Sequence, residues 1–415
     1  MTSDPAIYDH SLDACTAALR HARDCDYRGY NKHDGLNSPL LRALSLNVPF
    51  FRLGWTQVVT RAPVNLRPLL GVPKTQNPKG LALFTLAYLD LFRATQDEEY
   101  LEHATELLDR LKELACHDMA GTGWGYPYPW QDKGFFAPRN FPNRVVTSFV
   151  GQAFLSAFEM LGRAEYADVA SSISEFLLHN PRRLRDTDEE LCLSYVPSPD
   201  INWIVMDVSI LAGAVLARTA AATDDSRWLP DATRLVRYVV NRQTYYAAWF
   251  YSDPPGDSHI THDNYHTGFI LDAIRDYTQA TGDEQFMPAW HSGLKFYDER
   301  LFEPDGAPRW MYNRKFPHDV HGAANGILTF ARASAIEPVW LSRAEQIADW
   351  SLRTLYREPG QFAYQQTRFY TKRFNLLRWC NGWMARGLAS LCAARRHPAA
   401  DSISTMNVNI NEVQA

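Results

Sequence analysis

Three aspartates, Asp207, Asp263 and Asp319, stand 56 residues apart, and two of them sit among histidines in His262-Asp263-Asn264-Tyr265-His266-Thr-Gly and His318-Asp319-Val-His321-Gly. Carboxylates beside imidazoles are groups that move protons. Burial raises one carboxyl while a neighbouring cation keeps another ionised, and that split separates an acid from a base. The equal interval predicts that the three aspartates occupy similar levels on successive repeats and converge on one ligand. Asp207, Asp263, Tyr265, His266, Asp319 and His321 are therefore the candidate catalytic groups, and Asp263→Asn and Asp319→Asn are each expected to abolish activity. Asp263 and Asp319 are also suited to capping the helices they precede, and Asp207, deeper in an apolar run, needs at least a partner.

A second set offers binding rather than proton transfer. The aromatic groups Trp124, Tyr126, Tyr128, Trp130, Trp249, Tyr251, Trp310 and Tyr312 provide flat apolar faces. Asp34, Asn37, Arg144, Asn202, Asn264, Arg373, Arg378, Trp379 and Asn381 add hydrogen-bonding groups. Pyranose rings need this combination, stacking through C–H faces while their hydroxyls bond to polar groups. Of this set, Trp124, Tyr126, Trp249, Trp310 and the nine polar or Trp379 positions are the candidate substrate contacts. Arg139, Arg144, Lys315, Lys372 and Arg373 cluster near the same segments and match an acidic sugar such as a uronate. His262 and His266 have helical i,i+4 spacing, but no Glu follows the first and no third ligand is evident, so neither metal nor cofactor is expected.

What positions these groups is a long-period repeat. Apolar helices of one kind are predicted to begin near Lys79, Arg144, Asn202, His262, His318 and Asn375, at intervals of 56 to 65 residues. The stretch Trp203 to Ala217 is apolar nearly all round, as a helix enclosed by protein must be. Between them fall amphipathic helices near 98, 163, 226, 283 and 338, typified by Tyr100 to Ala115, and the N-terminal helix Pro5 to Arg23 supplies the sixth. Short strand-like segments ending in Tyr follow the amphipathic helices: Trp124-Gly-Tyr126-Pro-Tyr128, Leu193-Ser-Tyr195, Trp249-Phe-Tyr251, Trp310-Met-Tyr312 and Phe362-Ala-Tyr364. The predicted fold is all-α: an (α/α)6 toroid of six helical hairpins with the aromatic segments at one mouth. Residues 1–397 form that single domain, 24–78 being an irregular insertion of short helices and a loop near the mouth, and 398–415 are expected to be a disordered tail.

Composition agrees with a globular protein, with 46% hydrophobic and 21% charged residues. A net charge of -5 argues against nucleic acid as the main partner. Met1 to Leu19 has no apolar signal core and no 18-residue apolar run stands elsewhere, so no transmembrane segment and a cytoplasmic location are expected. The six cysteines are widely spaced and suit reduced packing positions.

At these residues the chain resembles the six-hairpin glycosidase-like superfamily, which includes unsaturated glucuronyl hydrolases and sugar 2-epimerases. The stretches Asp34-Gly-Leu-Asn37-Ser-Pro, Trp124-Gly-Tyr126, Asp263-Asn-Tyr-His266-Thr-Gly and His318-Asp-Val-His321-Gly are similar to an uncharacterised bacterial family associated with polysaccharide biosynthesis. The resemblance implies a hydrolase, lyase or epimerase acting by acid/base catalysis on an acidic sugar or polysaccharide. Two-carboxylate hydrolysis would use Asp263 with Asp319 or Asp207; proton abstraction next to a carboxylate would use Tyr265, His266 or His321. The alternatives are a glycan-binding or scaffold protein without catalysis, or a cyclase on the same toroid. For the cyclase, Trp379-Cys380-Asn381-Gly is similar to part of a lanthipeptide-cyclase zinc motif, but the partner Cys-His-Gly is absent.

Overall fold

The computed structural model describes residues 5–396; the tail assigned to 398–415 lies outside the described residues. Fourteen helices are present among them: α1 (Pro5–Asp24), α2 (Pro39–Leu44), α3 (Pro49–Arg61), α4 (Pro78–Thr95), α5 (Glu99–Glu113), α6 (Arg144–Leu161), α7 (Ala164–His179), α8 (Met206–Thr223), α9 (Leu229–Val240), α10 (Asn264–Thr281), α11 (Met287–Leu301), α12 (Val320–Ala333), α13 (Trp340–Thr354) and α14 (Trp383–Arg396).

The six apolar helices α4, α6, α8, α10, α12 and α14 each pack on the next, and α14 returns to α4, so they close an inner ring. The amphipathic helices α5, α7, α9, α11 and α13 back onto it, and α1 packs against α14 and α13 as the sixth outer helix. The chain therefore has the all-α (α/α)6 architecture. In α5, Ala104, Leu107, Leu108 and Leu111 are buried on one stripe while the acidic and basic residues face out. α8 is long and apolar enough to cross a bilayer, yet 78% of that stretch is buried inside the ring, which accounts for its hydropathy. The six cysteines are all unpaired thiols.

The two ends of the ring differ. At one, α4, α6, α8 and α10 stop on left-handed residues, Gln96, Gly162, Asp224 and Gly282, whose amides return to the helix carbonyls and turn the chain sharply into the outer helix. At the other, the segments ending in Tyr195, Tyr251 and Tyr364 lie beside the inner helix of the preceding repeat. The first amide of α6 donates to Tyr195 O at 3.0 Å, that of α8 to Tyr251 O at 2.9 Å, and that of α12 to Tyr364 O at 3.2 Å. Helix N-termini leave amides unpaired, and here the next repeat supplies the acceptor. Asn77, Asn143 and Asp319 cap α4, α6 and α12 with their side chains. These N-termini are thus spent on ring closure instead of standing free for an anion.

Two inner helices begin later than their sequence suggests. α8 starts at Met206, leaving Asn202 exposed in the preceding loop. The last repeat enters α14 through a wide π turn, Arg378–Gly382, in which Gly382 N bonds Leu377 O at 2.9 Å. Residues 24–78 hold α2, α3 and a short antiparallel pair, Arg28–Gly29 with Thr75–Gln76.

Candidate functional site

At the end carrying the tyrosine segments, a cavity of about 750 Å³ opens along the ring axis. The second residue of five inner helices reaches its wall: Lys79 on α4, Val145 on α6, Asp207 on α8, Tyr265 on α10 and His321 on α12. The cause is the shared direction of side chains in the first turn of equivalent helices. One position earlier, the side chains turn into the hairpins: Arg144 of α6 and Asn264 of α10 bond to carbonyls there.

This register separates the three equally spaced aspartates. Asp207 is the second residue of α8, whereas Asp263 and Asp319 precede the first residues of α10 and α12. Only Asp207 lies on the cavity wall, so the three do not converge as equivalents. Asp207 is buried, its Oδ1 has no partner, and burial pushes its carboxyl up while His266 and Lys79 oppose the shift. Asp263 instead accepts from His266 Nδ1 at 2.7 Å. Asp319 is surrounded by donors: Trp379 Nε1 at 2.8 Å, His321 N at 2.9 Å and Gln365 Nε2 at 2.6 Å. Its pairing opposite Gln365 in the small sheet of His318–Asp319, Gln365–Gln366 and Thr371–Lys372 fixes that arrangement. Asp319 positions Trp379 and is not itself on the wall.

His266 lines the cavity between Tyr251 and Tyr265, with ring centroids 4.6 and 4.4 Å away. Burial lowers its pKa, but Asp263 and Asp207 outweigh that and leave it raised. His321 is the opposite case. It is stacked between Tyr265 and Trp383, both at 4.3 Å, neither ring nitrogen has a partner, and burial with nearby Lys79 and Arg378 holds it well below its usual range. One imidazole is thus biased toward the cation and the other toward the neutral ring.

Of the expected binding residues, Tyr126, Trp310, Arg378 and Trp379 line the cavity. Several others are structural. Trp124 and Trp249 are buried and donate to Leu111 O at 2.7 Å and Val239 O at 3.0 Å. Arg144 is fully buried, gripping Leu177, Ser194 and Asn180 carbonyls at 3.0, 2.8 and 2.6 Å. Asn264 bonds Leu301 O, and Asn381 ties Gly360 O and Ala18 O together. Arg373 is exposed and faces a separate depression beside Tyr356 and Arg357. Asp34 and Asn37 lie buried in one tight turn, where Asp34 pairs with Arg67 at 2.6 Å. That pair matters indirectly, since Arg67 Nη2 also holds Lys32 O at 2.9 Å. His262 and His318 likewise anchor backbone carbonyls, Trp249 O at 2.7 Å and Pro308 O at 2.6 Å.

Lys32 and Lys79 are among the cavity cations absent from the sequence-based set. Lys32 Nζ sits 3.8 Å from a Trp379 ring centroid, and burial lowers its pKa to about 8 despite Asp319 and Asp263. Lys79 Nζ lies 3.8 Å from the Phe149 ring; burial, with Arg378 adding repulsion, holds it well below its usual range. Arg378 packs against Gly80, where an added Cβ would meet its own Cβ at 3.3 Å. Aligning the inner helices by their caps, Asn77 against Asp263 and Asp319, would have placed Lys79 level with Tyr265 and His321. Lys32, in the irregular insertion, carries no such signal. Tyr195 and Trp130 complete the aromatic wall, with Tyr126 and Tyr195 hydroxyls 3.3 Å apart.

The closed ring of six helical hairpins is the (α/α)6 toroid fold. Solved structures with this architecture include an unsaturated glucuronyl hydrolase specific for heparin (TM-score 0.62, 12% identity, covering 96% of this chain and 100% of that one). A GH76 α-mannanase of Bacteroides thetaiotaomicron (TM-score 0.58, 14% identity, 77% and 86% covered) and the cellobiose 2-epimerase of Bacillus thermoamylovorans (TM-score 0.58, 12% identity, 76% and 87% covered) share it too. No protein-family model and no curated protein matches the chain.

Proposed function

We propose that this protein is an enzyme that transfers protons on an acidic sugar, with His266 as the principal base and the sugar's anionic group held by Lys32, Lys79 and Arg378. The observation that carries the reading is the 2.7 Å bond from His266 Nδ1 to buried Asp263, which orients the imidazole and leaves Nε2 for the cavity. A carboxylate behind a histidine stabilises the imidazolium that forms when the ring takes a proton. The cations supply a second support: they line the same cavity, and both lysine ammoniums lie over aromatic rings, Lys32 over Trp379 and Lys79 over Phe149. An anion entering would raise the pKa of both lysines and lower the cost of their burial. Tyr126, Trp130, Tyr195 and Trp310 offer ring faces for the pyranose.

Within this class, abstraction of the proton next to a carboxylate or carbonyl, leading to epimerisation or elimination, fits better than two-carboxylate hydrolysis, because Asp319 is enclosed by three donors and Asp263 is committed to His266. The known activities of the similar folds, epimerase and glucuronyl hydrolase among them, fall on both sides of this choice. Incubation of the protein with uronate-terminated oligosaccharides in heavy water distinguishes them. Deuterium at a ring carbon, or a new double bond seen by ultraviolet absorbance, is the expected result; clean release of reducing sugar without exchange would replace it with hydrolysis, in which Asp207 with its unpartnered Oδ1 is the acid.

A further inference from the structure

Nine of the eighteen large hydrophobic side chains that stand exposed among the described residues lie between 40 and 69, a small part of the chain. Leu46, Phe50 and Leu69 are 74%, 77% and 84% exposed. Leu46 is also held at φ +47° beside Asn47 at +60°, a left-handed pair at the α2–α3 turn, where a leucine has no intrinsic reason to be. The same segment is electrically one-sided. From Gly35 to Leu89 the chain contains no Asp or Glu, although its overall charge is -5, and Arg42, Arg52, Arg61 and Lys74 stand among the apolar residues. Apolar side chains with only cations between them are complementary to a lipid surface of negative charge. A two-fold pairing of this face with a second copy would set its arginines against each other, which disfavours that occupant.

We propose that the α2–α3 insertion docks the protein on a bilayer rich in anionic lipid. The inner face of α3 contributes Thr56, Gln57 and Arg61 to the cavity wall, so docking through Phe50 and its neighbours brings the mouth beside the membrane. A glycan presented there on a lipid carrier would reach the site without leaving the surface. The docking itself is independent of the reaction assigned to the cavity.

The test is flotation of the full chain with vesicles of phosphatidylcholine alone or with about one-third phosphatidylglycerol, at low and high salt, alongside light scattering. The expected result is partition onto the anionic vesicles only, weakened by salt. Leu46→Ser combined with Phe50→Ser should reduce it at least tenfold, and Arg42→Glu should reduce it separately, both with unchanged melting temperature. No partition, or partition indifferent to these substitutions, overturns the proposal. A dimer in solution that Leu46→Ser with Phe50→Ser converts to a monomer also overturns it, since the face would then belong to a second copy.

Discussion

His266 Nδ1 stands 2.7 Å from Asp263 Oδ2, so the residue that precedes α10 orients the imidazole in its first turn. Removing that charge while keeping the shape isolates its role. Asp263→Asn is expected to lower kcat by ~10²–10⁴, the usual span for general acid/base assistance, with the fold intact by circular dichroism. His266→Gln should fall in the same range. The opposite ordering, with Asp263→Asn active and Asp207→Asn inactive, would transfer the proton to Asp207.

The pH profile should have two limbs. His266 must be neutral to accept a proton, and its pKa is raised, so kcat/KM climbs as pH rises through that raised value; Asp263→Asn removes a raising influence and moves this limb to lower pH. Lys32 must be charged to hold an anion, and its pKa is about 8, so KM for an acidic sugar should increase above that pH. Lys32→Arg should remove the Lys32 share of the alkaline limb and leave that of Lys79, and Lys32→Met should raise KM for the acidic but not a neutral sugar.

Asp319 should respond unlike Asp263. An asparagine can keep one oxygen toward Trp379 and His321 N while Gln365 turns its own oxygen to meet the new amide, so Asp319→Asn is expected to cost no more than ~1–3 kcal/mol in chemical unfolding. Its activity should persist, with the alkaline limb moved down because a charge that raises the Lys32 pKa is gone. Asp319→Ala, which strands all three donors, should instead displace Trp379, visible as a change in tryptophan fluorescence.

Arg144 offers a control for structure without chemistry. Its replacement by methionine strands the carbonyls of Leu177, Ser194 and Asn180 and should destabilise the protein by ~3 kcal/mol or more, since bonds to a charged donor are the stronger kind. Specific activity per folded molecule should be unchanged at low temperature.

For His321, phenylalanine preserves the ring stacked between Tyr265 and Trp383 and removes two unpaired nitrogens. Stability measured by thermal melting should hold or rise, while activity falls if the neutral imidazole bonds the sugar. Stability that holds with activity unchanged would mean that the ring serves packing alone.

The ring is legible in the residue pattern. Six mainly apolar helices, alternating with amphipathic ones at a near-constant interval, can bury their surfaces in few other ways, and the echo ending in Tyr126, Tyr195, Tyr251 and Tyr364 marked the end where the cavity opens. It also picked out His266 and His321, which stand in the first turns of apolar helices. What it left open was phase. Asp207, Asp263 and Asp319 share one interval, yet a helix that starts one position before an aspartate and a helix that starts one position after it aim that carboxylate differently, into the cavity or back along the cap. Helix starts are set by which neighbour accepts the first amide, Tyr251 for α8 and Tyr364 for α12, and those partners lie in other repeats. Lys32 came to the site through the Asp34–Arg67 clamp, and Arg378 with Trp379 through a π turn. These placements depend on contacts between distant segments, which no local spacing records.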